Sequence, residues 1–278
     1  MQIQRMAPGI VGQDVTIGAL KKTNKELSKV LRSLSTGLRI NTASDDAAGL
    51  AVSEQLRSQI RGFKMAQQNV TDATSALSIA DGTGGQVSDI LQRQRELALQ
   101  SKNDTLTNQD RQGIDTEYQQ LNAEMTRITS AAQFNGQPVA SGQGLASGAA
   151  QVQAGANAGD QVSMPYVDMT AAGLSMAGTS VATSAGATAA LDKINAAMSQ
   201  VNTQRSTIGA MTNRFESTVT NLNVSEVNTQ AAESVLRDQD MAVGLAQLTR
   251  SKILNQSGSM ALSRFNEISA NHLFALLK

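Results

Sequence analysis

The sequence predicts a mainly α-helical protein: a long antiparallel helical bundle or coiled coil formed by its N- and C-terminal flanks, with a small β-hairpin region between them. The first observation is composition, because the 278 residues include five Phe, two Tyr, no Trp and three Pro. Such a chain suits long helices built on Ala, Leu, Ile, Val and Met. The second is a heptad spacing of apolar residues in both flanks. The third is a middle segment that is nearly devoid of charge.

Apolar residues in the N-terminal flank recur every seven positions, which is the spacing of a helix–helix seam. The members of these two heptad series are Leu20, Leu27, Leu34 and then Leu56, Phe63, Val70, Leu77. The second series predicts a helix from about 50 to 102, roughly 80 Å long at 1.5 Å per residue. Gly82, Gly84 and Gly85 fall inside it and predict either a kink or a close backbone approach.

The next helix is expected after Thr107, because Asp110 three residues later completes a capping box. Its stripe steps by four and three residues, the 3.5-residue period of a coiled coil. The C-terminal flank repeats this behaviour in a segment from Leu191 and in another after Val235. The stripes comprise Ile114, Tyr118, Leu121, Met125 and Ile128; Leu191, Ile194, Met198, Val201, Ile208, Met211, Phe215 and Leu222; and Met241, Leu245, Leu248 and Ile253.

The middle segment, 137–190, has a different composition and predicts loops and short strands. Its only charged residues are Asp160 and Asp168, and it is rich in Gly, Ala, Ser and Thr. Asn135-Gly136 is a hairpin-turn signal just before it, and 161–169 is the best strand candidate. A disordered insert is the alternative interpretation.

Several classes of function lack the residues they need. Lys plus Arg and Asp plus Glu both total 23, so the zero net charge argues against a nucleic-acid or anionic-membrane surface. There is no Cys, and the single histidine, His272, has no catalytic context. Asp45-Asp46 is interpreted as a helix cap rather than a metal pair. We therefore expect no enzyme activity, no cofactor and no metal. We also expect no Sec signal and no membrane-spanning helix.

Five segments resemble motifs of bacterial flagellins, in that family's order. They are Leu34-Ser35-Thr36-Gly37-Leu38-Arg39-Ile40-Asn41 with Ser44-Asp45-Asp46-Ala47-Ala48-Gly49-Leu50, the run 91–101, Gln133-Phe134-Asn135-Gly136, the stretch 191–222, and the final segment 237–278. The resemblance covers about 30–136 and 190–278. One departure lies at the start, where Pro8 would stop or delay a helix. We therefore do not expect residues 1–12 to copy the usual innermost helix.

The resemblance implies a short flagellin with little or no outer domain. It divides the chain into an inner-core helix (1–36), a connecting spoke (37–49), half of an outer-core bundle (50–136), a variable insert (137–190), an outer-core helix (191–237) and a second inner-core helix (238–278). It implies an extracellular filament subunit for swimming, exported without a cleaved Sec signal. The implied partners are copies of itself in an open helical polymer, the flagellar export apparatus and chaperone, and cap and hook-junction proteins.

A hook–filament junction protein is the alternative function, because those relatives share the terminal helices. They usually carry Pro after the Asp-Asp pair, whereas Ala47 follows it here. A chemoreceptor-like coiled coil is disfavoured by the glycine-rich middle.

The predicted subunit-packing residues come from the apolar stripes: Leu20, Leu27, Leu34, Leu56, Phe63, Val70, Leu77, Ile114, Leu121, Met125, Ile128, Ile194, Val201, Ile208, Phe215, Leu222, Leu245, Leu248, Leu276 and Leu277. The resemblance further implies that Arg93, Leu97 and Glu117 occupy positions recognised by a host Toll-like receptor. Leu276 and Leu277 match terminal leucines sensed inside host cells. Packing within the filament is the primary role expected for both sets.

Overall fold

The fold was obtained as a computed structural model, which describes the backbone of residues 7–276 and the side chains of 14–268. The described residues form three helices, then four short strands, then two helices: α1 (Ala7–Thr36), α2 (Ala47–Ser101), α3 (Asn108–Ala131), β1 (Gln133–Phe134), β2 (Gln137–Pro138), β3 (Gln151–Gln153), β4 (Gln161–Ser163), α4 (Ser184–Arg237) and α5 (Met241–Leu276). A 3-10 turn, Gly144–Ala146, lies between β2 and β3. The predicted mainly α-helical class with a small hairpin region is confirmed.

The chain divides into two compact units. The terminal unit comprises Met1–Ser58 and Thr229–Lys278, and the central unit comprises Gln59–Asn228. The division falls inside α2 and inside α4, so each of these helices contributes to both units.

Helix boundaries differ from expectation at three places. Helix α1 includes Ala7, and Pro8 lies in its first turn. Backbone N–H groups of the first turn have no acceptor within the helix, so a proline there removes no hydrogen bond. The expectation that Pro8 delays the helix was therefore wrong. Helix α2 begins at Ala47 rather than 50, because the Asp46 carboxylate accepts a hydrogen bond from Gly49 N at 2.9 Å. Helix α4 begins at Ser184, seven residues inside the segment expected to be insert.

The glycines of α2 produce no break, since the helix is continuous to Ser101. Gly84 is instead a point of close approach to α4, because a Cβ there would lie 3.0 Å from the Arg205 side chain. The Asp81 carboxylate binds the Arg205 guanidinium at 2.8 Å, and Lys64 pairs with Glu226 at 3.4 Å. Partners along α2 and α4 therefore run in opposite directions, and the two helices are antiparallel within the central unit.

The predicted start of α3 is confirmed in detail. Asp110 N donates to Thr107 Oγ1 at 3.2 Å, and Thr107 N donates to Asp110 Oδ2 at 3.0 Å. These two bonds form the complete capping box. Hydrogen bonds from Thr107 lower the pKa of Asp110. Arg111 is buried just beyond the cap and donates to the carbonyls of Ser101 and Asn103, which holds the connector between α2 and α3.

Two antiparallel hairpins form the β region of the central unit. Strands β1 and β2 are joined by Asn135 (φ 50°) and Gly136 (φ 75°), the type I′ geometry that an Asn-Gly pair favours. Strands β3 and β4 pair Val152 with Val162. The predicted strand at 161–169 is therefore shorter than expected, since only Gln161–Ser163 is regular. Beyond it, the chain makes isolated bridges at Tyr166 and Asp168.

The core of the central unit is formed by α2, α3, α4 and the insert together. Insert side chains reach the same cluster as the helices: Met164, Val167, Met169, Leu174 and Met176 are all buried there. The returning segment before α4 is held on α3, since Val181 N donates to Asp115 Oδ1 at 2.7 Å. The insert therefore completes a core inside the chain, which a disordered segment could not do.

Candidate assembly surface of the terminal unit

Helices α1 and α5 pack as an antiparallel pair with a constant register. A Cβ placed on Gly258 would lie 3.1 Å from Leu20 Cδ1, and one on Gly244 would lie 2.8 Å from Leu34 Cδ2. Asn255 Nδ2 donates to Asn24 Oδ1 between these two levels. Residue numbers at facing positions therefore sum to about 278 along the pair, and this register places Leu27 level with Ser251.

The α5 side of this seam consists largely of small and polar residues. Partly or fully buried positions recur along α5 in steps of four and three: Gly244, Leu248, Ser251, Asn255, Gly258, Leu262 and Phe265. Gly244, Ser251 and Gly258 are themselves seven residues apart, matching the leucine heptad of α1. Small residues let the helix backbones approach, so the leucines of α1 fill the space that the α5 side chains leave.

The α5 residues predicted as a packing stripe are mostly not in this seam. Leu248 is half-buried, but Leu245 is 59% exposed, and Met241 and Ile253 are exposed as well. The sequence stripe selected apolar residues, whereas the seam uses glycine and serine, which carry no hydrophobic signal. The heptad spacing of Gly244, Ser251 and Gly258 was the signal that could have found it.

The outer surface of α5 is therefore unusually apolar for an exposed helix. Its exposed large hydrophobic side chains are Met241, Val243, Leu245, Ile253, Leu254, Met260 and Ile268. Among the described residues of the terminal unit, Ile40 is the single large hydrophobic side chain that is fully buried. Exposed apolar side chains in this number on one helix indicate a contact site for other molecules.

The two connections of the terminal unit are joined by backbone and ionic contacts. Arg39 N donates to Arg237 O at 2.6 Å, and Gln239 N donates to Gly37 O at 2.9 Å. The Arg39 guanidinium donates to Leu236 O at 2.6 Å. Arg237 in turn pairs with Glu54 at 3.1 Å. The segment 37–46 is thereby held against the turn between α4 and α5.

Asp45 stabilises the segment 37–46 as a hydrogen-bond acceptor and an ion-pair partner. Its carboxylate binds Lys29 at 3.0 Å and accepts hydrogen bonds from the backbone N–H groups of Asn41 and Thr42. The Lys29 ammonium, followed by these N–H groups, lowers the pKa of Asp45 to about 2. Asp46 caps α2, so the interpretation of this pair as a helix cap holds for Asp46, while Asp45 binds Lys29 and the loop.

A groove of about 680 Å³ runs along one flank of the α1–α5 pair. Val30, Val243 and Leu254 contribute its apolar surface, and Asp45 lies among the lining residues at the end formed by the 37–46 segment. Across the described residues, no three His, Asp or Glu side chains come together in a way that could hold a metal ion. None of the described helices is both long and apolar enough to cross a bilayer.

Most predicted packing residues of the central unit are buried by their own chain. The fully buried members are Val70, Leu77, Met125, Ile194, Val201, Ile208, Phe215 and Leu222. Phe63, Ile114, Leu121 and Ile128 are half-buried, as are Leu20, Leu27, Leu34 and Leu56 in the terminal unit. The side chains of Leu276 and Leu277, like that of His272, lie outside the described residues. These eight side chains are covered within one chain, and a role of the predicted residues in contacts between copies stays a prediction.

The three residues of the implied receptor site do not form one surface. The Arg93 guanidinium is exposed and binds Glu117 at 2.8 Å and Glu96 at 2.9 Å. The Glu117 and then the Glu96 carboxylate raise the pKa of Arg93. Leu97, however, is only 1% exposed and belongs to the core. The Leu97 side chain therefore offers little surface for direct contact in this fold, and the implied receptor role stays a prediction.

These observations define a class of protein: a helical structural subunit with a self-contained central unit and a terminal unit whose apolar face has no cover. Comparison with known families agrees. The model for the bacterial flagellin N-terminal helical region matches residues 13–144, and the model for the bacterial flagellin C-terminal helical region matches residues 191–277. The chain belongs to the bacterial flagellin family, and the resemblance inferred from its motifs is confirmed.

Individual relatives match along nearly the whole chain. Flagellin of Halalkalibacterium halodurans is 42% identical over 241 residues, covering 86% of this chain and 88% of that protein. Flagellin FlaB1 of Treponema pallidum is 36% identical over 272 residues, covering 93% and 95%. A solved structure described as a flagellar hook-associated protein of Vibrio parahaemolyticus aligns with a TM-score of 0.56 at 20% identity, covering 69% of this chain and 99% of that one. At that identity the similarity supports the fold alone.

Proposed function

We propose that this chain builds the bacterial flagellar filament by joining copies of itself through the outer surfaces of α1 and α5. Its role as a filament structural subunit follows from its family. Relatives at 36–42% identity are named flagellin or flagellar filament core protein, so the hook-junction alternative is less supported. The observation that carries the proposed contact surface is the exposed apolar face of α5 in a unit that has almost no core of its own.

The two units differ in how much apolar side-chain surface they leave exposed. In the central unit the large apolar side chains already contact one another. In the terminal unit, Leu245 and Ile253 still face solvent, and covering such side chains contributes about 1.5–3 kcal/mol each. Contacts that do not close on themselves propagate as a helical filament. No catalytic step is part of this proposal.

A matched pair of variants tests the contact surface. Leu245→Asp places a charge in the proposed interface, and Leu99→Asp places the same charge at a leucine of similar exposure in the central unit, 50% against 59%. We expect Leu245→Asp to abolish filaments in negative-stain images and in sedimentation, because a charge buried in an apolar contact costs several kcal/mol. Leu99→Asp should still form them. Equal assembly by both variants would place the interface elsewhere.

Export and the accessory partners belong to the same proposal. The subunit would leave the cell by the flagellar export route with a chaperone, without a cleaved Sec signal, and meet cap and junction proteins at the filament tip. The test is to measure the chain in the medium of cells that lack the export apparatus. Full secretion by such cells would contradict this route.

A host receptor is a further proposed partner, now restricted to the exposed pair Arg93 and Glu117. Charge reversal at both positions should restore the ion pair but not the arrangement of charges a receptor meets. Receptor activation by monomeric Arg93→Glu/Glu117→Arg should therefore fall while its unfolding curve is unchanged. Unchanged activation would leave this surface without a receptor role.

A further inference from the structure

The methionines of this chain differ in how far solvent reaches their sulfur atoms. Four of them are buried in the core of the central unit: Met125, Met164, Met169 and Met176. Helix α5 carries two that are exposed, Met241 at 55% and Met260 at 66%. A thioether packs like an apolar side chain, but unlike a hydrocarbon it is oxidised when a reagent reaches its sulfur. The terminal unit therefore presents oxidisable side chains where the central unit encloses them.

The two exposed methionines of α5 lie on one face of that helix. At 100° per residue, Met241, Leu245, Ile253 and Met260 fall within an arc of about 120°. Ser251, in the middle of the seam with α1, lies outside this arc on the other side of the helix. Leu245 and Ile253 are the exposed residues of the proposed contact surface. Methionine therefore supplies the other two large apolar side chains of the same face.

A hydroperoxide converts such a side chain from apolar to polar. The sulfur lone pair attacks one oxygen of hydrogen peroxide, and a S–O bond forms as the O–O bond breaks. The second oxygen takes up the proton of the first and leaves as water. The sulfur loses two electrons and the peroxide gains them. The product, methionine sulfoxide, is polar, and sulfoxide reductases return it to methionine.

We propose that Met241 and Met260 are oxidation sites of the free subunit, at which a hydroperoxide blocks the joining of copies until the sulfoxides are reduced. This inference rests on the proposed contact surface of α5. A sulfoxide oxygen buried in an apolar contact loses its hydrogen bonds to water, which makes the contact unfavourable. A copy that covers the thioethers also keeps the reagent away from them. Free subunits therefore respond to the oxidant, and filaments that have already formed resist it.

The first test locates the oxidation by peptide mass spectrometry after treatment with hydrogen peroxide. In the full-length monomer, checked by sedimentation, we expect Met241 and Met260 to react at least about tenfold faster than Met125 and Met169. In filaments formed before treatment, the two α5 rates should fall at least about tenfold, while that of Met65, exposed at 56% on α2, should not change. Equal rates at exposed and buried methionines of the monomer, or unprotected α5 methionines in filaments, would overturn the proposal.

A matched pair of variants tests the effect on assembly. Met241→Leu/Met260→Leu keeps apolar side chains on α5 but removes their sulfur, and Met65→Leu removes the exposed methionine of α2. After treatment of the monomer, the unchanged chain and Met65→Leu should need at least about a tenfold higher concentration to form sedimenting filaments. The double leucine variant should assemble as it does without treatment. Equal inhibition of the two variants would assign the loss to other methionines, which contradicts the proposal.

Reduction of the sulfoxides completes the test. Methionine sulfoxide reductases for both sulfoxide epimers, with dithiothreitol, should restore assembly of the oxidised chain. Assembly that stays lost after Met241 and Met260 have been reduced would contradict the proposal.

The outcomes separate this inference from the contact surface on which it rests. If Leu245→Asp fails to assemble while the chain carrying both sulfoxides assembles normally, the contact surface stands and the control by oxidation is wrong. If Leu245→Asp assembles as well as Leu99→Asp, the contact surface itself is wrong and this inference falls with it.

Discussion

The central unit and the terminal unit use similar helices in opposite ways. In the central unit α2, α3, α4 and the insert enclose a cluster that includes Tyr118, Met125 and Phe215 at 0% exposure. In the terminal unit α1 and α5 meet along one seam, and seven of the large hydrophobic side chains described on α5 are exposed. A heptad pattern therefore indicates a helix that packs against another helix. Whether its apolar residues become fully buried within the chain depends on how many other elements surround it.

The largest expected effect is on the closed core. Phe215→Ala should destabilise the central unit by about 3–5 kcal/mol, because the deletion leaves a cavity lined by packed side chains. Urea unfolding followed by hydrogen exchange of α2 and α4 measures it. Val227→Ala, at an exposed position of the same helix, is the control and should change stability by less than about 0.5 kcal/mol. Similar losses of stability in the two variants would show that Phe215 is not buried in the core of the central unit.

The next effect concerns the seam of the terminal unit. Gly244→Val should destabilise the α1–α5 pair by about 1–3 kcal/mol, because its side chain overlaps Leu34. Gly18→Val is the matched control, since no atom lies within 4 Å of a Cβ at that position. Hydrogen exchange of α1 and α5 measures both. Unchanged protection of α1 and α5 in Gly244→Val would mean that Gly244 does not lie against Leu34, and would contradict the register described above.

The ion pair of Asp45 gives the terminal unit a specific acid sensitivity. The pKa of Asp45 falls from 3.8 to about 2 on folding, so its contribution is present above about pH 4 and is lost as pH falls toward 2. Because its partner Lys29 is half exposed, we expect about 1–2 kcal/mol after solvent screening.

Asp45→Asn should remove this pH dependence from the exchange of the terminal unit between pH 2 and about 4 and leave the central unit unaltered. Asp14→Asn is the control on α1 and should retain the pH dependence contributed by Asp45. Loss of the same dependence in both variants would assign it to general charge rather than to the Lys29 pair.

The smallest expected effect is at the α3 cap of the central unit. Thr107→Ala should cost about 1 kcal/mol, because one of the free N–H groups at the helix start loses its acceptor. Thr107→Ser keeps the hydroxyl and is the control. Thermal unfolding of the central unit is the measurement, and the terminal seam should not respond. Equal losses in both variants would mean that the methyl group, not the capping bond, is what matters.

Local features were predictable wherever the signal lies within a few residues. The Thr107–Asp110 box, the Asn135-Gly136 turn and the Asp46 cap each depend on side chains that bond to nearby backbone, so short motifs identify them. The long helices were predictable because apolar spacing of seven extends over many turns. The start of α1 at Ala7 was missed because proline stops a helix in its interior but is tolerated in its first turn.

The tertiary structure decided which apolar residues face which partner. Leu97 and Leu245 are both leucines of long helices, yet Leu97 is buried in the core of the central unit while Leu245 is exposed. Periodicity describes one helix, whereas burial depends on how its neighbours are placed around it. The α5 seam was not predicted for the same reason, since Gly244, Ser251 and Gly258 become packing residues only when leucines of α1 lie against them.

The sequence by itself determined that this is a flagellin with long helical flanks and a β-containing middle, because those properties reside in local motifs and in their order. Only the tertiary structure divided the flanks between two units, one with an excess of basic residues and few buried apolar side chains, the other with an excess of acidic residues and a closed apolar core. Charge and burial depend on which residues the fold brings together, and these are far apart in the chain, as Asn24 and Asn255 are. The net charge summed along the sequence is zero, whereas the terminal unit has four more basic than acidic residues and the central unit four fewer.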